Sequence, residues 1–127
     1  MERLRKEKTE STPFIQLDAD THLLEIRGES IPENTFEFYA DVIEWIEKYL
    51  QETKTPLITV EIELSYFNSS SSKMIMDLLD LLDANVRDDR VIKVRWMYDV
   101  DNDMAEEHGE GFSEELEHVT FEMTPIP

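Results

Sequence analysis

The sequence predicts a single α/β domain on a mostly parallel central sheet, with elements in the order β-β-α-β-α-β-α-β. Three observations carry this expectation. Apolar residues recur with two periods: alternation or short β-branched runs in some segments, and steps of three and four in others. The two kinds of segment then follow each other as strand, helix, strand, a pattern that lays parallel strands side by side through right-handed crossovers. Finally, 127 residues with a hydrophobic fraction of 40% suffice for one core and are too few for two ordinary domains.

Residues 1–12 are polar, charged and unpatterned, and read as a flexible N-terminal arm ahead of a domain at 13–127. Phe14 to Leu17 is a short strand, closed by a turn over Asp18 to Thr21, and Leu23 to Gly28 is its hairpin partner. Pro32 interrupts the chain. A helix follows, capped by Asn34 or Thr35, with Glu37 placed to close a capping box. This helix carries two adjacent apolar stripes, Phe36-Tyr39-Ile43-Ile46-Leu50 and Phe38-Val42-Trp45-Tyr49. Together they exceed the arc of about 100° that packing on a sheet uses. One stripe faces the sheet, and the aromatic one needs cover from another part of the chain or from a partner.

Leu57 to Phe67 is a long strand in which Glu61 and Glu63 alternate with Val60, Ile62 and Leu64. The run Asn68-Ser69-Ser70-Ser71-Ser72 ends it, and a helix from about Ser70 to Ala84 follows. That helix buries Met74, Ile75, Leu78, Leu79, Leu81 and Leu82, leaving Met76 with Asp77, Asp80 and Asp83 on its outer face. Val91 to Tyr98 is another strand. Asp99 to Glu117 is acidic and helical in part, broken by Gly109 and Gly111, and Val119 to Met123 forms a last strand ended by Pro125.

The formal net charge is −18. Four of the 12 basic residues lie in the first eight positions together with two of the 30 acids, so the remainder holds 8 basic and 28 acidic groups, or −20. Such a body repels nucleic acid and anionic membrane and suits a basic protein surface. No apolar run approaches a membrane span, and the basic residues of Met1 to Lys6 precede no apolar leader segment, so the expected compartment is the cytoplasm. There is no cysteine for a disulfide, a thiolate metal site or a thiol nucleophile.

Signals for catalysis are absent, and no cofactor is expected. His22, His108 and His118 have no metal-ligand spacing and read as surface residues. Gly109-Glu110-Gly111 lies among carboxylates, the wrong field for a phosphate cradle. Asp99 to Glu110 has the length of a calcium loop, but Met104 stands where the sharp turn needs glycine, and the segment follows a strand. The serine run is the informative feature. Serine and asparagine are ordinary helix caps. A phosphate there would also meet the positive end of the helix and add up to about −2 of charge to the surface.

The stretch Glu10 to Pro13, the block Ile31 to Glu37, the segment Tyr66 to Leu82 and the run Val94 to Asp99 resemble the SiaC-type bacterial regulatory phosphoproteins, from about Ser11 to the C-terminus. The resemblance implies a fold like the STAS domains of anti-sigma-factor antagonists and a non-enzymatic role in partner switching. It implies a kinase that modifies a hydroxyl just after the asparagine at the strand–helix junction, and a metal-dependent serine/threonine phosphatase that reverses this. It further implies that the unmodified form binds and activates a diguanylate cyclase, in cyclic-di-GMP signalling and biofilm control. By position the acceptor is Ser69, following Asn68, where the family pattern has threonine; Ser70 is the alternative. For partner binding the sequence suggests Asn68, Ser71 and Ser72 with the helix face at Met76 and Asp80. The competing expectations are a small acidic metal-binding domain using Asp99 to Glu110 and a homodimeric structural domain without a phospho-switch.

Overall fold

The computed structural model describes residues 1–127. Its nine elements are β1 (Leu4–Lys6), β2 (Phe14–Asp18), β3 (Leu23–Ser30), α1 (Thr35–Glu52), β4 (Leu57–Phe67), α2 (Ser69–Asp83), β5 (Val91–Asp99), α3 (Asp103–Glu115) and β6 (Thr120–Ile126). The six strands form one sheet in chain order. β1, β2 and β3 pair antiparallel, and β3 to β6 pair parallel. The α/β class is thus as expected, with one strand more at the N-terminal edge.

Register explains the alternation read from the sequence. Leu24 pairs with Val60 and Val60 with Val94, while Ile26 pairs with Ile62 and Ile62 with Trp96. All are buried, so this face carries the core, under the apolar sides of the helices. Each large aliphatic side chain so placed contributes about 1.5–3 kcal/mol. The opposite face is polar and cross-linked. Arg27 reaches Glu61 at 2.7 Å, Glu63 at 2.9 Å and Glu25 at 3.2 Å, and Arg95 reaches Glu61 at 3.1 Å. Glu61 and Glu63 alternate along β4 because they partner arginines of neighbouring strands.

The arm expected at residues 1–12 is not free. Leu4–Lys6 adds a strand to β2, and the segment covers the aromatic stripe of α1. Trp45 Nε1 donates to Glu2 O at 2.8 Å. Lys6 Nζ sits 4.3 Å from the Phe38 ring centre, donates to Phe38 O at 2.7 Å and pairs with Asp41 at 2.9 Å. An edge strand of three residues carries too little pattern to be read from sequence. Its lysine is placed by a cation–π contact rather than by periodicity.

Further corrections concern α2, α3, β6 and His108. α2 begins at Ser69, one residue before its expected start. α3 runs unbroken through Gly109 and Gly111. Gly109 is required there for close approach: a Cβ on it would lie 2.4 Å from Trp96 Cδ1. β6 continues through Pro125, which an outer strand tolerates because its free side needs no N–H donor. His108 is also not a loose surface residue, since its ring packs 4.7 Å from that of Phe67.

Candidate functional site

Two helix N-termini meet at one corner of the domain. β4 delivers Phe67 to the core, and the chain turns directly into α2 through Asn68. A register shift between Gly28/Glu29 and β4 lets Tyr66 and Phe67 pair with Glu29 and Ser30, so that Phe67 rather than Tyr66 points inward. Gly28 sits at φ +125°, a conformation other residues rarely adopt. The same register sets Ser30 beside the junction, where its carbonyl accepts from Asn68 N at 3.2 Å.

Asn68 then caps α2, its Oδ1 accepting from Ser71 N at 2.9 Å. Asn34 caps α1 in the same way, accepting from Glu37 N at 3.0 Å. The two capped ends are tied by hydroxyls: Ser70 Oγ donates to Asn68 Oδ1 at 3.1 Å and lies 2.8 Å from Thr35 Oγ1. Beneath them is a buried chain in which Ser30 Oγ is 2.7 Å from Tyr39 OH and 2.8 Å from Ser71 Oγ. Burial pushes the Tyr39 phenol up to about 12, against the smaller opposing effect of its bond to Ser30.

This arrangement separates the four serines. Ser71 is 0% exposed and its hydroxyl is committed to Ser30. Ser72 is half-buried, with its N–H bonded to Asn68 O at 2.9 Å. Ser70 is exposed but shared between Thr35 and Asn68. Ser69 is exposed at the first position of the helix. One turn further along α2, Lys73 pairs with Asp77 at 3.5 Å.

From this corner a cleft of about 520 Å³ runs between α1 and α2. Its apolar floor is Phe36, Ile43, Met74 and Leu81, and its rim carries Glu44, Glu47 and Asp77. Phe36 is 75% exposed. A smaller hollow over Thr35, Ser70 and Lys73 shares Phe36, Met74 and Asp77 with it, so the cleft opens at the serine cap. Of the partner-binding residues expected from sequence, Asn68, Ser71 and Ser72 lie at this corner. Met76 is half-buried against the core rather than exposed, because α2 packs a wider apolar arc than a single stripe requires. Asp80 is exposed, but neither it nor Met76 lines the cleft. Sequence reasoning missed Ser30, Thr35 and Tyr39, which reach the site from other elements. The aromatic stripe of α1 is covered by another part of the chain, as expected: the N-terminal segment lies over Phe38 and Trp45, while on the other stripe Phe36 is left exposed and Ile43 half-buried.

The Asp99 to Glu110 segment takes a different form from a calcium loop. Asn102 caps α3, accepting from Ala105 N at 3.1 Å, and its amide donates to Ser65 O at 3.0 Å. No group of three or more histidine or carboxylate side chains is placed to hold a metal ion. No helix is long and apolar enough to cross a membrane.

A family model described as SiaC family regulatory phosphoprotein matches residues 6–126. An uncharacterised protein of Pseudomonas aeruginosa strain UCBPP-PA14 is 40% identical over 107 residues, 84% of each chain. SiaC of Pseudomonas aeruginosa superposes with a TM-score of 0.89 at 34% identity, covering 99% of this chain and 100% of that one. The structure of the diguanylate cyclase SiaD in complex with its activator SiaC, from the same organism, matches with a TM-score of 0.89 at 35% identity, covering 97% and 99%.

Proposed function

The chain belongs to the SiaC family of regulatory phosphoproteins, and from that premise we propose that it is a phosphorylation-controlled protein-binding switch acting through the corner at Ser69. The unmodified form binds and activates an effector, a diguanylate cyclase. A serine kinase modifies Ser69 and releases the effector, and a metal-dependent phosphatase restores the bound state. The protein does its work by contact in the cytoplasm, without catalysis of its own. The effector part of this reading draws on the SiaD–SiaC complex, in which the relative is the activator.

The observation that carries the choice of residue is the uneven fate of the serines: Ser69 offers an exposed hydroxyl at the helix start, whereas Ser71 is buried and Ser70 is tied to Thr35. Phosphate on Ser69 would bring about −1.5 to −2 of charge to free backbone amides and the positive end of α2, where it is stabilised. It would also lie four residues before Lys73, the favoured spacing for an acid–base pair on a helix. Lys73 would then leave Asp77 and swing toward Ser69, across the mouth of the α1–α2 cleft. The switch thus works by reshaping an entrance and not only by added charge.

Phosphosite mapping by mass spectrometry on protein from its native host tests this reading. Phosphate on Ser69 that disappears on phosphatase treatment, with Ser69→Ala locking the effector in its active state, is the expected result. An unmodified serine run across growth conditions would reduce Ser69 to a helix-start residue.

A further inference from the structure

We infer that the α1–α2 cleft is the seat of a basic amphipathic helix supplied by a protein partner. This goes beyond the switch reading and rests on it only in taking a protein as the occupant. Phe36 stands almost free in solvent, and an exposed large apolar side chain over a further apolar floor marks an interaction surface. Phe36 to Glu47 spans eleven residue steps of α1, or about 16 Å at the rise of an α-helix, which is about three turns of a partner helix. A groove between two helices takes such a partner by its i, i+3, i+4, i+7 apolar stripe.

Charge selects the occupant. The rim carries Glu44, Glu47 and Asp77, and no lysine or arginine lines the cleft. Lysine and arginine flanking an apolar stripe would match this rim and shorten the search for the site. A second copy of the chain is the poorer fit. It would bring another −18 of charge and set the same three carboxylates near their own images. The N-terminal segment, the most basic stretch of this chain, is already committed to Phe38, Trp45 and Asp41 on the neighbouring face of α1.

The test is a nitrogen-15 NMR titration of the unphosphorylated full chain. The probe is a designed helical peptide of about five turns with leucines at those positions and lysines elsewhere; a second peptide carries glutamates instead. Amide shifts confined to α1 and α2 on adding the lysine peptide, and none with the glutamate peptide, are expected. Phe36→Glu, at an exposed site that leaves the core intact, should weaken binding about ten-fold. So should the double reversal Glu44→Lys with Glu47→Lys. The matched double Asp88→Lys with Glu107→Lys, at exposed positions outside the cleft, should retain wild-type affinity. Equal loss in both doubles would mean attraction to bulk charge and would overturn the inference, as would wild-type binding by Phe36→Glu. Sedimentation of the chain alone giving a dimer abolished by Phe36→Glu would assign the cleft to a second copy and likewise overturn it. Failure of the switch reading is seen separately, as absence of phosphate on Ser69.

Discussion

Alanine at Gly109 and alanine at Gly111 should change stability in opposite directions, although both glycines lie in α3 and both substitutions raise helix propensity. Nothing lies within 4 Å of a Cβ at Gly111, so the gain there is the propensity term alone, about 1 kcal/mol. At Gly109 the added carbon would meet Trp96 Cδ1 at 2.4 Å, Trp96 Nε1 at 2.6 Å and Met123 Cε at 2.9 Å. The methionine tip can move. The indole cannot: it is fully buried, its Nε1 donates to Ala105 O at 2.9 Å, and Phe67 and Phe112 contact it edge-on at centroid distances of 6.1 and 5.4 Å. Overpacking a filled core costs about 1–3 kcal/mol. Displacing the indole N–H from its only acceptor adds about 1–3 kcal/mol. After subtraction of the propensity gain, Gly109→Ala should destabilise by about 1–5 kcal/mol. At this chain length about 1 kcal/mol moves Tm by roughly 3–5 °C. Thermal and urea unfolding followed by far-UV circular dichroism should therefore place Gly109→Ala well below the wild type and Gly111→Ala slightly above it. Equal stabilisation by both would refute the claim that α3 is pressed onto Trp96.

Other substitutions probe the remaining parts. Ser71→Asp should cost about 3 kcal/mol or more by leaving a charge in the Ser30–Tyr39 chain, whereas Ser69→Asp at the exposed helix start should stay within about 0.5 kcal/mol; urea midpoints separate the two. Asp83 accepts from the amides of Glu117, His118 and Val119; burial alone would raise its pKa, but these bonds outweigh that and hold its carboxyl below the usual carboxylate range. A depressed pKa means that Asp83 stabilises the fold above its unfolded value near 3.8 and loses that contribution as pH falls through the folded value. Asp83→Ala should thus cost about 1–2 kcal/mol at neutral pH, with the gap to the wild type closing in acid on a pH series of urea titrations. Tyr39 should keep its proton until about pH 12, so its share of stability is present below the unfolded value of 10.0 and is lost as pH rises toward 12, a loss that Tyr39→Phe abolishes in alkaline unfolding curves. Deleting residues 1–8 should cost about 2 kcal/mol and shift Trp45 fluorescence to the red, as both its cover and its bond to Glu2 O are removed.

Much of this fold was legible in the sequence because long periodic segments announce themselves. β4 alternates cleanly from Ile58 to Leu64, and α1 shows steps of three and four over its whole length. The edge strand β1 was not legible, since three residues carry no period and its pairing depends on a lysine meeting Phe38 thirty-two positions away. Gly109 and Gly111 look alike in sequence, and only the distance to Trp96 tells them apart. At the site, the run Asn68 to Ser72 could be read from the sequence as a strand end leading into a helix start. Ser30 and Thr35 could not, because hydroxyls that meet across more than thirty positions leave no local signal. Met76 was misplaced for a related reason: one methionine among aspartates looks exposed on a helical wheel, but α2 buries more than half its circumference at that point.

The serine run illustrates what three dimensions add to a repetitive motif. In sequence the four residues are interchangeable, and each could cap a helix or accept a phosphate. The helix rotates successive side chains by about 100°, so neighbours cannot share an environment. Asn68 fixes the phase of that rotation by bonding to Ser71 N, and the phase then sends the Ser71 hydroxyl inward to Ser30. Ser70 is turned toward Thr35 on α1, and Ser69 toward solvent. A kinase that needs a free hydroxyl would meet a single unencumbered candidate in the folded protein at the first turn. The shared bond between Ser70 and Thr35 holds the starts of α1 and α2 together at the mouth of the cleft. In the proposed switch, a phosphate on Ser69 next to that bond would act on the cleft without touching its floor, so that one exposed serine would govern a surface extending about three helical turns away from it.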